Sequence, residues 1–511
     1  MARRRAVVLG GGFAGLASAL SLSRRGWHVT LVEQHEELGG RARMWRESGF
    51  SFDMGPSWYW MPDVFERFFG ELGERVDDHY QLVRLDPAYR VVFEHDSVEV
   101  DASRSGLTGW MESREPGSGA ALERFLSEAA EKYRVGMGDL VYRPGRSLFE
   151  FADPRVLQGL LRLQLLTSMR RHVQRHFRDP LIRQLLEFPV LFLGAVAANT
   201  PALYSLMNHA DLELGTWYPM GGMVEVVRAM ERMARARGIE IRTATRALGI
   251  RTEGRRVVGL EVAPADAGQG DAGSATDTGR EAPTTELVEG DVLVASADYH
   301  HVDRALLGPE RANYGERYWA GRTMAPSSLL LYLGLDRRLE GLRHHTLFFD
   351  ASMDAHADAI YTRPRWPEEP LFYTSIPSRT DPSVAPEGGE ALTVLVPLAP
   401  GLHDDDAQRD RVRSQVCERF RQHTGVDLER HIVVERGYAM RDFERDYHAF
   451  RGNAYGLANT LRQTALLKPS LRHRRFENLY YSGQLTVPGP GVPPSLISGM
   501  VVAEQIERDL G

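Results

Sequence analysis

The chain has 511 residues, enough for about two to four domains, and 43% hydrophobic with 26% charged residues is an ordinary globular balance. A net charge of −7 argues against a nucleic-acid surface. Cys417 is the only cysteine, which excludes an intramolecular disulfide and any multi-cysteine metal or iron–sulfur centre, and is compatible with a reducing compartment.

The N-terminal stretch Ala6 to Arg43 carries the strongest pattern. Ala6–Leu9 reads as a strand, Gly10-x-Gly12-x-x-Gly15 follows, and a helix runs to about Arg25 with Gly26 as its C-cap. His28–Val32 reads as a second strand with Glu33 at its end. This is a dinucleotide-binding unit in its required order. Gly10 permits the tight turn, Gly12 lets backbone approach a pyrophosphate, and Gly15 lets the helix pack close to the strand. The helix N-terminus offers free N–H groups and a positive dipole end to phosphates. Glu33 suits a ribose diol and repels a 2′-phosphate, which disfavours NADP. Arg3–Arg5 imitate the start of a signal peptide, but the following helix holds too many Ser and Gly for an apolar region and no cleavage-like site follows.

Leu38-Gly39-Gly40-Arg41-Ala42-Arg43 comes next and is placed to hug an anion. Phe50–Asp53 alternates like a strand and ends in Gly55-Pro56, before the aromatic run Trp58-Tyr59-Trp60-Met61. That run either walls a flat cofactor or apolar channel, or is core. Residues 76–218 read as a second layer, with strands in Leu82–Val100 and a helix from Ala120 to Lys132. In Pro154–Phe177, Leu157, Leu160, Leu161 and Leu165 share a face, and Arg170, Arg171, His172, Arg175, His176 and Arg178 crowd the next turns. This is either a basic membrane-surface element or a core helix followed by a solvated face. Residues 189–207 are the longest apolar stretch, broken by Asn199, Thr200 and Pro201, and read as a buried helix, a break and another helix rather than a membrane span.

After the break Trp217–Met223 the pattern predicts a helix from Val224 to Arg237 and a strand at Glu240–Thr243. Val257–Val262 and Leu287–Ala295 read as paired strands, joined by a polar loop, Pro264–Glu286, without periodicity. Strands at Ser328–Gly334 and Ala391–Pro397 and a charged helix at Asp406–His423 continue the second layer. The chain closes with the strand Asn478–Ser482, the loop Gly483–Pro493, and a helix from Ser495 to about Asp509, a second glycine-rich loop feeding a helix N-terminus.

Four segments stand in order along the whole chain: the N-terminal fingerprint with Gly39-Gly40-Arg41-Ala42-Arg43, Phe52-Asp53-Met54-Gly55-Pro56-Ser57, Trp217-Tyr218-Pro219-Met220-Gly221-Gly222-Met223, and the terminal segment 478–499. Together they resemble the phytoene desaturase family of carotenoid-forming flavoproteins, of the bacterial and fungal type. The resemblance implies FAD and an α/β fold like that of p-hydroxybenzoate hydroxylase and the amine oxidases. It implies a Rossmann-like FAD-binding domain from residues 1–75, 219–300 and 470–511, and an α+β substrate and membrane-associated domain from 76–218 and 301–469. It implies that Gly10, Gly12, Phe13, Ala14 and Gly15 hold the pyrophosphate, and that Glu33, with Gln34 beside it, holds the adenosine ribose. Gly40 and Arg41 would line the phosphate and ribityl path, Ala247 would meet the adenine, and Gly55, Pro56, Gly483, Gln484, Gly491 and Val492 would lie near the ribityl chain and flavin ring. No second G-x-G-x-x-G supports a nicotinamide site, so oxygen or a quinone is the expected electron acceptor.

The implied reaction is dehydrogenation of phytoene towards lycopene, a hydride leaving an allylic carbon for the flavin and a proton following. The expected partner is a polyene hydrocarbon drawn from a bilayer, met by a cytoplasmic protein in peripheral membrane contact, with no nucleic acid and no metal. Asp53, Asp211 and Glu213 are candidate proton acceptors, each with a solvated or capping role as the alternative. Other readings are a hydroxycarotenoid 3,4-desaturase, ketolase, isomerase or retinol saturase. More distant are a flavin amine oxidase, for which only Lys132 and Lys468 could stand near the flavin, and a prenyl-binding non-enzyme.

Overall fold

The computed structural model describes residues 4–138, 140–143, 164, 167–265, 284–460, 463 and 467–511. The strand β1 (Arg5–Leu9) leads through the turn into helix α1 (Phe13–Arg24) and strand β2 (His28–Val32). Apart from an exposed first residue, both strands are buried, as a parallel sheet covered on two faces requires. They form the middle of a five-stranded sheet ordered Leu479–Tyr481, Val292–Ala295, β1, β2, Glu240–Arg242. Every pairing in it is parallel. Its strands come from the beginning, middle and end of the sequence.

A three-stranded antiparallel sheet, Thr245–Glu253, Arg256–Pro264 and Glu286–Glu289, stands beside it. The second large sheet has seven strands, in the order Ile432–Tyr438, Ser327–Leu335, Glu390–Leu398, Phe372–Ser375, His345–Phe349, Tyr89–Phe93, Ser97–Val100. Only the pairing of His345–Phe349 with Tyr89–Phe93 is parallel. Ser327–Leu335 is buried at all nine positions, because Phe50 and Phe52 cover one face and Val412, Val416 and Phe420 of the helix Asp406–Thr424 belong to the cluster on the other.

Several sequence expectations need correction. Leu287–Ala295 is not one strand. It breaks at Gly290-Asp291, so that Glu286–Glu289 joins the antiparallel sheet and Val292–Ala295 the parallel one. The apolar stretch 189–207 holds 3-10 turns, Phe188–Leu193 and Ala202–Ser205, before the α-helix Leu206–Leu212; Pro189 and Pro201 disfavour a continuous α-helix there. A helix absent from the sequence reading, Pro62–Glu71, buries Val64, Phe65, Phe68 and Phe69. The aromatic run before it is mostly core: Tyr59, Trp60 and Met61 are buried.

The basic segment contains a short helix, Met169–His176, capped by Ser168 and packed inward through Met169, His172 and Val173. Arg170 is tied to Glu187 and Asp354, while Arg171, Arg175 and Arg178 are exposed. Leu157, Leu160, Leu161 and Leu165, and the loop residues 266–283, lie outside the described residues. Among the described residues no helix is long and apolar enough to cross a membrane.

Candidate cofactor cleft and active site

In an open parallel sheet, ligands bind beyond the carboxyl ends of the strands. Four ends supply the wall of one cleft directly: Leu9-Gly10 after β1, Glu33–His35 after β2, Ser296–Tyr299 after Val292–Ala295, and Ser482–Leu485 after Leu479–Tyr481. Thr245 and Ala247 continue the wall from the fifth strand. With its mouth, the cleft holds about 1650 Å³ of open space.

The cleft brings together Gly10, Gly12, Phe13, Ala14, Glu33, Gln34, Gly40, Arg41, Gly55, Pro56, Ala247, Gly483, Gln484, Gly491 and Val492. Gly15 is not part of its wall. A Cβ there would stand 1.8 Å from the carbonyl oxygen of Gly10, so Gly15 lets α1 lie against the turn. Gly12 differs: its φ of −77° suits any residue, and a Cβ would meet nothing nearer than 3.9 Å.

Two helix N-termini face the cleft, α1 beyond Gly12 and Val492–Leu510 beyond Gly491. α1 presents unsatisfied N–H groups to an anion, whereas Pro493 and Pro494 leave the first turn of the second helix with the Val492 N–H as its donor. The helices cross closely because Gly499 lies on Ala14 and Ala17, where a Cβ would sit 2.6 Å from the Ala14 oxygen. Glu33 is buried, and its carboxylate accepts the Gly11 N–H at 2.7 Å and the His35 N–H at 2.9 Å. The remaining lone pairs are free for a diol.

The far wall was not read from sequence. It comes from the helix Met440–Tyr447 and from His448. The Tyr447 hydroxyl donates to the Gly40 carbonyl at 3.1 Å, and the Arg41 guanidinium lies 5.0 Å from its ring centre. Arg43 reaches Asp446 at 3.3 Å. The Gln34 amide donates to the Asp446 carbonyl at 2.6 Å. His301, another unforeseen wall residue, stacks on His448 with centroids 4.0 Å apart. Asp298 caps the turn beneath it, accepting the His301 N–H at 3.1 Å; burial pushes its carboxyl up against the pull of that bond and of Arg41.

These residues fit a dinucleotide. The buried Arg41 Nε has no partner among the described residues, although the side chain lines the cleft beside the glycine turn. A half-buried guanidinium with an unpartnered Nε fits a site built for phosphate oxygens.

The candidate proton acceptors are engaged with other groups, Asp53 in the capping role given as its alternative. Asp53 is not solvated: burial pushes it up to about 7, and it accepts the Met223 N–H at 3.1 Å at the start of the helix Val224–Ala236. Burial also pushes Asp211 up to about 7, and it accepts the Tyr89 hydroxyl at 2.7 Å. Glu213 pairs with Arg104 at 2.6 Å. None of the three lines the cleft.

Both lysines are buried. Lys132 lies 3.2 Å from His172 and donates to Ser205 at 3.0 Å. Lys468 has no hydrogen-bond partner among the described residues, and a Cβ on Gly489 would sit 3.0 Å from its Nζ. It therefore stands behind the loop that feeds the last helix, a placement its sequence surroundings gave no sign of.

Residues 13–507 match the family described as flavin containing amine oxidoreductase. The chain is 41% identical over 505 residues to the carotenoid 3,4-desaturase of Haloarcula japonica, covering 98% of each. It is 33% identical over 508 residues to the zeta-carotene-forming phytoene desaturase of Myxococcus xanthus, covering 98% of this chain and 94% of that protein. Among solved structures, the cyclohexylamine oxidase of Brevibacterium oxydans superposes with a TM-score of 0.57 at 12% identity, over 99% of this chain and all of that one; this likeness concerns the fold.

The protein is thus an FAD-dependent oxidoreductase with a Rossmann-like FAD-binding fold. It belongs to the carotenoid desaturase family of flavoproteins.

Proposed function

We propose that this enzyme desaturates a carotenoid that is already partly conjugated, introducing a double bond at an end-group position such as C3–C4. The observation that carries this is the 41% identity, end to end, with a carotenoid 3,4-desaturase. The alternative weighed beside phytoene is therefore preferred to the phytoene-to-lycopene step. Bound FAD would supply a two-electron acceptor for a hydride leaving a carbon next to the polyene. The chain's own residues hold and shield. Gly12, Arg41 and the N-terminus of α1 would fix the pyrophosphate, Glu33 the ribose, and Ala247 the adenine surroundings. Leu330 and Leu395 of the seven-stranded sheet add apolar surface to the cleft that Gly55 and Pro56 also line, suited to a dry hydrocarbon.

We assign residues 1–75, 219–300 and 470–511 to FAD and 76–218 with 301–469 to substrate. The division is supported by the strands of the parallel sheet falling in the first set and those of the seven-stranded sheet in the second. The carotenoid would be taken from a bilayer by peripheral contact through residues 155–207, and reduced flavin would pass its electrons to oxygen or a quinone. The test is to load the holoenzyme with single carotenoids in liposomes, hydroxylated and acyclic, and separate the products. A product lacking two hydrogens, with red-shifted absorption, from a conjugated substrate but not from phytoene is expected. Conversion of phytoene alone would reverse the choice. Flotation with anionic liposomes tests the membrane contact; protein remaining at the bottom refutes it.

A further inference from the structure

Dehydrogenation needs a group that takes the second hydrogen as a proton, and none of the carboxylates considered for it lines the cleft. A linked set of polar side chains stands next to the wall, beside Pro56 and Leu395. Ser57 follows Pro56, which lines the cleft. Its Oγ lies 2.9 Å from the Tyr373 hydroxyl, which lies 2.6 Å from His345 Nδ1. Tyr373 is the register partner of Leu395, also in the cleft wall. Trp58 lies flat on the His345 ring, centroids 4.3 Å apart at 10°, and fixes its orientation.

His345 is fully buried, and its Nε2 has no partner among the described residues. Burial, with His344 as neighbour, holds the imidazole well below its ordinary range, so it is neutral. With the ring proton on Nε2, Nδ1 accepts from Tyr373, whose oxygen accepts from Ser57. The Ser57 and Tyr373 hydrogens then both point along the chain towards His345. Packing alone would be served by apolar residues. Two buried polar groups on neighbouring strands, linked to Ser57 and carrying an orphan N–H, are a departure from local economy of the sort found at functional sites.

Resting on carotenoid dehydrogenation as the reaction, we propose that Ser57, Tyr373 and His345 form the relay that accepts the proton lost by the polyene, with Ser57 at the substrate and the other two as positioning residues. One C–H bond breaks with its electron pair going to bound FAD, which is reduced as the substrate is oxidised. The neighbouring C–H bond breaks, and its electrons become the new C=C. That proton bonds to Ser57 Oγ while the Ser57 hydrogen passes to Tyr373 and the Tyr373 hydrogen to His345 Nδ1. The imidazolium is the last acceptor, opposite in charge to the reduced cofactor.

The test uses the holoenzyme and Ser57→Ala, Tyr373→Phe and His345→Gln. The rate of anaerobic flavin bleaching at saturating carotenoid should fall about 100-fold in each, with KM and FAD content unchanged, and Ser57→Thr should recover the rate. A readout independent of turnover is ¹⁵N-histidine NMR of the protein without carotenoid. His345 Nδ1, identified by its loss in His345→Gln, should be unprotonated and hydrogen-bonded, and should shift in Tyr373→Phe. Wild-type rates in Tyr373→Phe and Ser57→Ala with FAD bound would overturn the relay alone, as would a protonated Nδ1. If Ser57→Ala and Tyr373→Phe do not fold, the protonation state of His345 Nδ1 in the wild type decides, the signal being identified by its loss in His345→Gln or, should that variant not fold either, in His345→Asn. A wild type that bleaches with no carotenoid would overturn the reaction assignment, and the relay with it.

Discussion

Gly12 and Gly15 lie three residues apart in one motif, and the structure gives them separable roles. In Gly15→Ala the new methyl would meet the Gly10 carbonyl oxygen at 1.8 Å and its carbon at 3.0 Å. Both atoms are backbone of the turn, so relief requires moving α1 away from the sheet. Overpacking of this kind costs up to about 3 kcal/mol, and the better helix propensity of alanine offsets about 1 kcal/mol. A net loss of about 2 kcal/mol is expected in the protein without cofactor. In Gly12→Ala the backbone is already in an ordinary region and the methyl meets nothing within 3.9 Å. Its structural cost is a poorer N-cap, within about 1 kcal/mol. The methyl stands in the cleft against Gly39 and Gly40, where the pyrophosphate must pass, so FAD affinity should fall by at least about tenfold, or about 1.4 kcal/mol. Urea melts of apoprotein and fluorescence titration with FAD measure the two quantities. Equal losses of apoprotein stability in both variants, or Gly12→Ala binding FAD like the wild type, would refute the assignment.

Asp211 gives a pH-dependent outcome. Burial raises its folded-state pKa to about 7, while an unfolded aspartate titrates near 3.9. Between these values the folded chain holds a proton that the unfolded chain has lost, so this group makes stability fall as pH rises. Asp211→Asn should therefore gain in urea midpoint relative to wild type between pH 5 and pH 8, and a constant difference would contradict the buried carboxyl. Lys468 acts in the opposite sense. Burial lowers it to about 7, so the folded state releases a proton that an unfolded lysine keeps to about 10.4. Its contribution to stability rises with pH across that window, and Lys468→Met should flatten the dependence between pH 7 and 10. Cys417 is buried, with its thiol pushed up to about 11; it should react with an aromatic disulfide reagent only on unfolding, and rapid native labelling would show the site open.

What was legible in the sequence was what short-range chemistry decides. A strand, a glycine turn, a helix and an acid within about thirty residues leave little freedom, and the near wall of the cleft came out residue by residue. Gly15 was assigned both to packing and to the pyrophosphate; the 1.8 Å approach of an added Cβ to the Gly10 oxygen accounts for the first. The split at Gly290-Asp291 was hidden because Leu287–Val288 and Val292–Ala295 are both apolar strand formers. Which sheet each joins is decided by partners far along the chain: Arg256–Pro264 for one, β1 and Leu479–Tyr481 for the other.

The far wall was illegible for a related reason. Tyr447, His448 and Asp446 come from a charged helix whose local pattern says only that one side is buried. Their work is done on Gly40, Arg43 and Gln34, about 400 positions away. The relay is the sharper case. Ser57, His345 and Tyr373 lie in segments that read singly as a Gly-Pro turn and two strands. They become a chain of donors only because His345–Phe349 pairs with Phe372–Ser375 in one particular register, His345 opposite Ser375 and Leu347 opposite Tyr373. Side chains two residues apart on one strand share a face, so that register sets Tyr373 and His345 diagonally on the same side of the sheet, facing Ser57. Moving one strand by a single residue would turn its side chains to the opposite face, and the proton path would vanish while both sequences kept their strand-forming character.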